Sequence, residues 1–115
     1  MFFYEIDKSK FYGYKFKDIS KEEIKTKIDF IKKEHKKATH ICYACLIKKD
    51  LNIEGITSND REPKGTSSNK IREVLLLKEK YNTLIVIVRY YGGIKLGVGN
   101  LSRTYKNMTL WTLED

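Results

Sequence analysis

A single domain mixing strands and helices is predicted, on three observations. Short β-branched and aromatic runs recur along the chain, stretches with apolar residues at helical spacing lie between them, and 115 residues with 41% hydrophobic and 33% charged composition leave room for one modest core. A chain of this size buries roughly 65% of the surface its unfolded form exposes, enough to fold without covalent staples. Cys42 and Cys45 sit among ordinary hydrophobic residues with no secretory leader ahead of them, the usage of a reducing cytosol. Charge enters at Glu5, Asp7 and Lys8, before an apolar stretch reaches signal-peptide length, and no run approaches the ~20 apolar residues of a membrane span. The expectation is a cytoplasmic protein without a membrane partner; secreted, disulfide-knotted and transmembrane classes are set aside.

The elements follow in order. Phe2 to Ile19, rich in Tyr and Phe, reads as one strand or a pair, with Gly13 as the candidate bend. Ser20 stands three residues before Glu23, a capping-box signature, and Ile24, Ile28, Ile31 and Ala38 then recur at helical spacing. The lysines between them fall mostly off that stripe, so they form a solvated face first and a polyanion-facing one second. Thr39 to Ile47 reads as a buried strand, paired through the polar turn Lys48-Lys49-Asp50 with a second run, Leu51 to Thr57. Ser58 to Asn69 holds the only proline, Pro63, and Gly65; a structureless loop of that length in a compact domain is more often functional than decorative. Ile71, Val74 and Leu75 open a second helix, capped by Ser68 or Asn69 and running to about Tyr81 and Asn82. Leu84 to Val88 is continuously apolar and mostly β-branched, which suits a central strand covered on both faces and delivering Arg89. Glycine then clusters at 92, 93, 97 and 99 before Leu101, Tyr105 and Met108 mark a third helix.

The formal net charge is +8, from 23 Lys+Arg against 15 Asp+Glu, which favours polyanions such as RNA, DNA or anionic lipid. The abundance of Lys, Ile, Asn and Tyr is also what an AT-rich coding sequence imposes. Arginine is scarce, so its positions carry more information: Arg61, Arg89 and Arg103 lie in or beside the glycine-marked segments, and a planar guanidinium supplies the bidentate phosphate or carboxylate recognition that lysine lacks.

The order strand, glycine-rich loop, helix lets backbone N–H groups face an anion. Lys95 precedes Gly97, so this is not a Walker loop, and Gly97-Val98-Gly99 is followed by Ser102 where a dinucleotide fingerprint needs glycine. Two readings stand: Gly92, Gly93, Gly97 and Gly99 serve a tight connection only, or they shape an anion or partner site that uses Arg89, Lys95 and Arg103. Cys42 and Cys45 have C-x-x-C spacing, but on a strand residues three apart point to opposite faces, so no metal site is expected. His35 and His40 are structural by default. Asp60 and Glu62 are the candidate carboxylate pair, with Arg61 and Lys64 beside them.

Three strings taken together resemble the IMPACT/YigZ family: Ala38-Thr39-His40-Ile41-Cys42-Tyr43-Ala44, Ser58-Asn59-Asp60-Arg61-Glu62-Pro63-Lys64-Gly65-Thr66, and Arg89-Tyr90-Tyr91-Gly92-Gly93-Ile94-Lys95-Leu96-Gly97. The resemblance implies an α+β fold like the second domain of ribosomal protein S5, a mostly antiparallel sheet of about four strands backed by helices. It implies one Impact N-terminal-like domain over residues 1–115, without the ferredoxin-like second domain that bacterial members usually carry. Asn59 and Arg61 stand where the family's S-D-D-G-E-P loop has aspartate and glycine, and Asn100 and Thr104 replace a glycine and an alanine near the last helix. Eukaryotic relatives restrain a starvation-responsive translation kinase by competing for its activator, and the S5-like fold suggests RNA or ribosome contact.

The leading expectation is a non-enzymatic binding protein acting around translation, without a cofactor, that contacts RNA or a ribosome-associated partner. Arg89 and Arg103 are expected on phosphate, Lys95 adds charge, Tyr90 or Tyr91 stacks on a base, and the Gly92, Gly93 and Gly97 turn shapes the surface together with the loop Asp60, Glu62, Pro63, Lys64, Gly65 and Thr66. Two alternatives remain: an enzyme for a small phosphorylated or peptide-like substrate, with His40, Asp60 and Glu62 as acid–base groups, and a protein-interaction module with a tyrosine-rich face.

Overall fold

The aromatic N-terminal segment is a hairpin. In a computed structural model describing residues 1–115, Asp7 and Lys8 take positive φ (46° and 64°), the twist that a two-residue turn needs. They join β1 (Phe2–Ile6) to β2 (Ser9–Phe16) as antiparallel neighbours. Gly13 is therefore not a bend. It lies within β2 opposite Phe2, where the C-terminal helix passes so close that a Cβ would stand 1.9 Å from Thr112 Oγ1.

Helix α1 (Lys21–Glu34) starts at the expected box, with Ser20 N–H donating to Glu23 Oε1 at 2.9 Å. Ile24, Ile28 and Ile31 are its buried face, and Lys25, Lys32 and Lys33 are exposed. Strands β3 (His40–Lys49) and β4 (Asn52–Ser58) pair across a turn in which Asp50 has φ 57°. Helix α2 (Ser68–Leu77) ends short of Tyr81. Glu79 and Asn82 adopt positive φ, which a helix does not accommodate, and Asn82 instead ties the chain to β3: its N–H donates to the Leu46 carbonyl at 2.7 Å and its Oδ1 accepts from Lys48 N–H at 3.1 Å. Strand β5 (Leu84–Tyr90) and helix α3 (Val98–Glu114) complete the chain.

The sheet runs β1-β2-β5-β3-β4, every neighbouring pair antiparallel. The architecture is α+β as expected, with five strands rather than four because the N-terminal segment contributes two. The last strand in sequence sits in the middle. Ile85 and Ile87 enter the core beneath α2 and α3, while Leu84, Val86 and Val88 join the isoleucines of α1 on the other face. Each such side chain removed fully from water contributes about 1.5–3 kcal/mol.

Cys42 and Cys45 divide between those two cores, as alternation requires. Burial pushes the two thiols up to about 12 and about 11, so neither offers the thiolate that redox or nucleophilic chemistry needs. No helix is long and apolar enough to cross a membrane.

Candidate functional site

Alternation along β5 determines what Arg89 does. It shares a face with Ile85 and Ile87, so its guanidinium enters the interior and the residue is only 6% exposed. A buried cation requires a carboxylate, and the loop after β4 supplies Glu62. Arg89 Nη1 donates to both Glu62 oxygens at 2.9 Å. Tyr105 of α3 donates its hydroxyl to Glu62 Oε2, and His40 Nε2 stands 3.4 Å from Oε1. The Arg89 guanidinium also lies over two rings, 5.7 Å from the Phe11 centroid and 5.6 Å from that of Tyr91.

The loop is pinned to β3 by Asp60. Its Oδ2 accepts from Ile41 N–H at 2.6 Å, and its carbonyl accepts from His40 Nδ1 at 2.7 Å, which places a hydrogen on Nδ1. Thr66 closes the loop by donating its hydroxyl to the Pro63 carbonyl at 2.6 Å. Asp60 and Glu62 each have their own structural partners, so they are not the open carboxylate pair expected.

The two motif segments meet in a recess of about 440 Å³. Glu62 and Arg89 lie at its base, Pro63 comes from the loop, and Leu96, Gly97, Val98 and Leu101 line the other side. Lys95 and Tyr91 are exposed lining residues. No side chain caps the start of α3 and no acidic residue lies in its first turn, so its amide end is not neutralised where it borders the recess. Gly97 holds φ 77° there, and Gly92 lets the chain cross the hairpin turn, since a Cβ on it would lie 2.0 Å from the Lys8 carbonyl oxygen.

The remaining expected residues are dispersed. Arg103 is exposed on α3, bonded to Asn100 Oδ1, and does not line the recess; Lys64 is exposed and Gly65 half-buried on the loop, likewise outside it. Arg89 itself is not the open phosphate contact expected, because Glu62 matches its charge. Tyr90 points to the opposite face from Arg89. Its hydroxyl meets His35 Nδ1 at 2.7 Å, and Tyr14 meets Nε2 at 2.6 Å, around an imidazole whose pKa is lowered by burial.

A second groove, of about 360 Å³, escaped the sequence reading. Lys8, Lys10 and Tyr12 of the hairpin line it together with Tyr90 and Tyr91. The signal lies in the strand register, where Lys10 pairs with Tyr90, and that pairing is visible only once β2 is known to neighbour β5. Tyr105 and Thr39 were also missed as site residues. Tyr105 reads as one more member of an apolar stripe, yet it holds Glu62, and the Thr39 hydroxyl accepts from Tyr91 N–H at 2.9 Å.

One departure in the loop, Arg61 in place of glycine, carries a backbone cost. Asp60 and Arg61 adopt φ 42° and 65°, the left-handed region that glycine occupies without strain. Arg61 is exposed, and its 3.9 Å ion pair with Asp60 is of the surface kind that contributes little. Arg61→Gly is therefore expected to stabilise the fold by about 0.5–1 kcal/mol in urea unfolding. Unchanged or reduced stability would show that the arginine side chain holds the loop.

Residues 7–113 match the Impact N-terminal domain family. The chain is 39% identical over 100 residues to the IMPACT family member YvyE of Bacillus subtilis, covering 87% of this chain and 46% of the relative. It is 36% identical over 104 residues to an IMPACT family member of Haemophilus influenzae (90% and 50% covered), and 32% identical over 102 residues to the IMPACT family member YigZ of Escherichia coli (88% and 50%). The chain thus spans about half the length of these relatives. Among solved structures, a protein described only as hypothetical superposes with a TM-score of 0.91 at 30% identity, over 99% of this chain and 56% of the other. The two-domain translational regulator Yih1 gives 0.56 at 19% identity, over 91% and 43%, a likeness of fold.

Proposed function

The chain belongs to the IMPACT family through its Impact N-terminal domain, and from that premise we propose that it is a cytosolic binding domain acting around translation, engaging a single RNA strand of a ribosomal or translation-associated partner. One observation carries the reading: Tyr91 lines both the recess and the second groove, so Lys8 and Lys10, the rings of Tyr12, Tyr90 and Tyr91, and then Lys95 border two adjoining depressions. Tyr91 is exposed and offers a stacking face to a base, Tyr12 and Tyr90 are half-buried walls of the groove, and lysines track phosphates. Lys8, Lys10 and Lys95 are exposed and make no ion pair, so their charge is free for a polyanion. Likeness to the translational regulator Yih1 supports the cellular setting by fold alone.

The test is fluorescence anisotropy with a labelled single-stranded RNA of about 12 nucleotides at several salt concentrations. Three phosphate contacts predict a slope of log affinity against log salt of about −2. Tyr91→Ala, or Lys8→Ala with Lys10→Ala, is expected to weaken binding about tenfold. Affinity that ignores salt, or that these variants leave intact, overturns the assignment.

A further inference from the structure

Arg89 is only partly used by the protein. Both of its hydrogen bonds leave from Nη1 toward Glu62, and its Nε is a buried donor without a partner. An orphaned charged donor in an interior is costly, and such groups in folded proteins normally meet a water, an ion or a ligand. Arg89 lines the recess. An arginine that binds one carboxylate through Nη1 keeps its Nε–Nη2 edge, a planar fork with the spacing of a second carboxylate.

The surroundings narrow the class of ligand. Charges lining the recess are Arg89 and Lys95 against Glu62, a surplus of one positive charge before His40 is counted, and the uncapped start of α3 adds a partial positive end. Most of the remaining wall is apolar: Pro63, Leu96, Val98, Leu101 and the ring of Tyr91. A concave, largely apolar site with a few convergent polar groups suits a small molecule better than a bare inorganic ion.

From the orphaned edge of Arg89, Lys95, the open end of α3 and this apolar wall, we propose that the recess binds a small organic monoanion. Its carboxylate sits against Arg89 and Lys95, and its apolar body lies along Leu96, Val98 and Leu101. Tyr91, whose ring lies over the guanidinium and is 44% exposed, covers the head group from the solvent side. This site is separate in chemistry from the RNA path, which depends on Lys8, Lys10 and stacking, although the two share Tyr91 and Lys95.

The experiment is an NMR titration of the full chain with benzoate, and with benzamide as the uncharged isostere. Benzoate is expected to shift the Arg89 Nε–H and the amides of Gly97 to Leu101 with millimolar affinity, and benzamide to bind at least about tenfold more weakly. Lys95→Ala should weaken benzoate about fivefold, with rescue by Lys95→Arg. Val98→Asp should abolish the shifts: a carboxylate in the first turn suits the helix yet repels the ligand, so the fold is retained. Phenyl phosphate binding more tightly than benzoate would replace the carboxylate head by a phosphate monoester and overturn the monoanion assignment. Absence of shifts, equal binding of benzamide, or undiminished binding to Val98→Asp would each remove the site. Val98→Asp leaves Lys8, Lys10 and Tyr91 in place, so RNA affinity that persists while benzoate fails to bind defeats this inference alone.

Discussion

Replacing Glu62 with alanine is expected to cost about 3–5 kcal/mol of folding stability, because it strands a buried guanidinium. A domain of this size has about 6–17 kcal/mol in total, so the loss is a large share. Arg89 has no second carboxylate within ion-pair distance, and its guanidinium is held almost wholly inside the protein while β5 stays central in the sheet. An arginine does not shed its proton to escape the cost. Tyr105, buried completely, loses its acceptor in the same substitution. Arg89→Ala should be similarly damaging, since it leaves the Glu62 carboxylate enclosed. Removing both charges together, as Glu62→Gln with Arg89→Met, should recover much of the loss, because apolar or neutral replacement of a whole buried pair is often close to neutral. Urea unfolding of the wild type, Glu62→Gln, Arg89→Met and the double variant reads the cycle, with the two alanine variants measured beside it; a loss below about 1 kcal/mol in Glu62→Ala would mean that the pair is effectively solvated. The same reasoning explains why ligand tests belong on Lys95, Val98, Lys8 and Lys10: a binding defect in an Arg89 variant would report folding first.

The difference between Arg89 as expected and Arg89 as found shows where sequence reasoning reaches its limit. Elements defined by near neighbours were legible. The Ser20–Glu23 box, the isoleucine stripe of α1, the covered strand at 84–88 and the opposed directions of Cys42 and Cys45 all depend on periods of a few residues. Alternation through Ile85 and Ile87 even contained the signal that Arg89 turns inward, had it been continued one step past the apolar run. What supplies the countercharge was not legible, because Glu62 lies 27 positions away in a loop that no periodicity describes. The hairpin turn was misread for a related reason. Asp7 and Lys8 are not the usual Asn-Gly pair, whereas Gly13 attracts attention as a bend although its role is set by a helix about a hundred residues later. A shared surface of the 58–69 loop and the segment Arg89 to Arg103 was expected from motif content, of which Glu62 and Pro63 meet the second segment at the recess and Arg103 does not, while the groove lined by Lys8 and Lys10 required the strand order β1-β2-β5.

Gly13→Ala is expected to cost about 1–3 kcal/mol, and the reason predicts its remedy. The added methyl meets Thr112 Oγ1 at 1.9 Å, so either β2 or the end of α3 has to move. Movement is resisted on both sides. Gly13 pairs with Phe2 and Ile87 in the sheet, and Lys15 holds the end of the helix through the carbonyls of Leu113 and Asp115 at 3.0 and 2.9 Å. Thr112 is also an expensive neighbour in its own right, 1% exposed with a hydroxyl that has no hydrogen-bond partner. Thr112→Ala alone should therefore cost less than about 1 kcal/mol, the lost packing being offset by removal of the unsatisfied hydroxyl. Combined with Gly13→Ala it should restore most of the loss but not all, because the Cβ at position 112 still stands 3.1 Å from the new methyl. The cycle should give a coupling of about 1 kcal/mol or more. Strict additivity would place the strain elsewhere and deny that this contact sets the seat of α3. Because α3 also carries Tyr105 to Glu62 and Leu101 to the recess, Gly13→Ala should disturb Arg89 Nε–H in the NMR spectrum from the far end of the helix, and Thr112→Ala should return that resonance toward its native position.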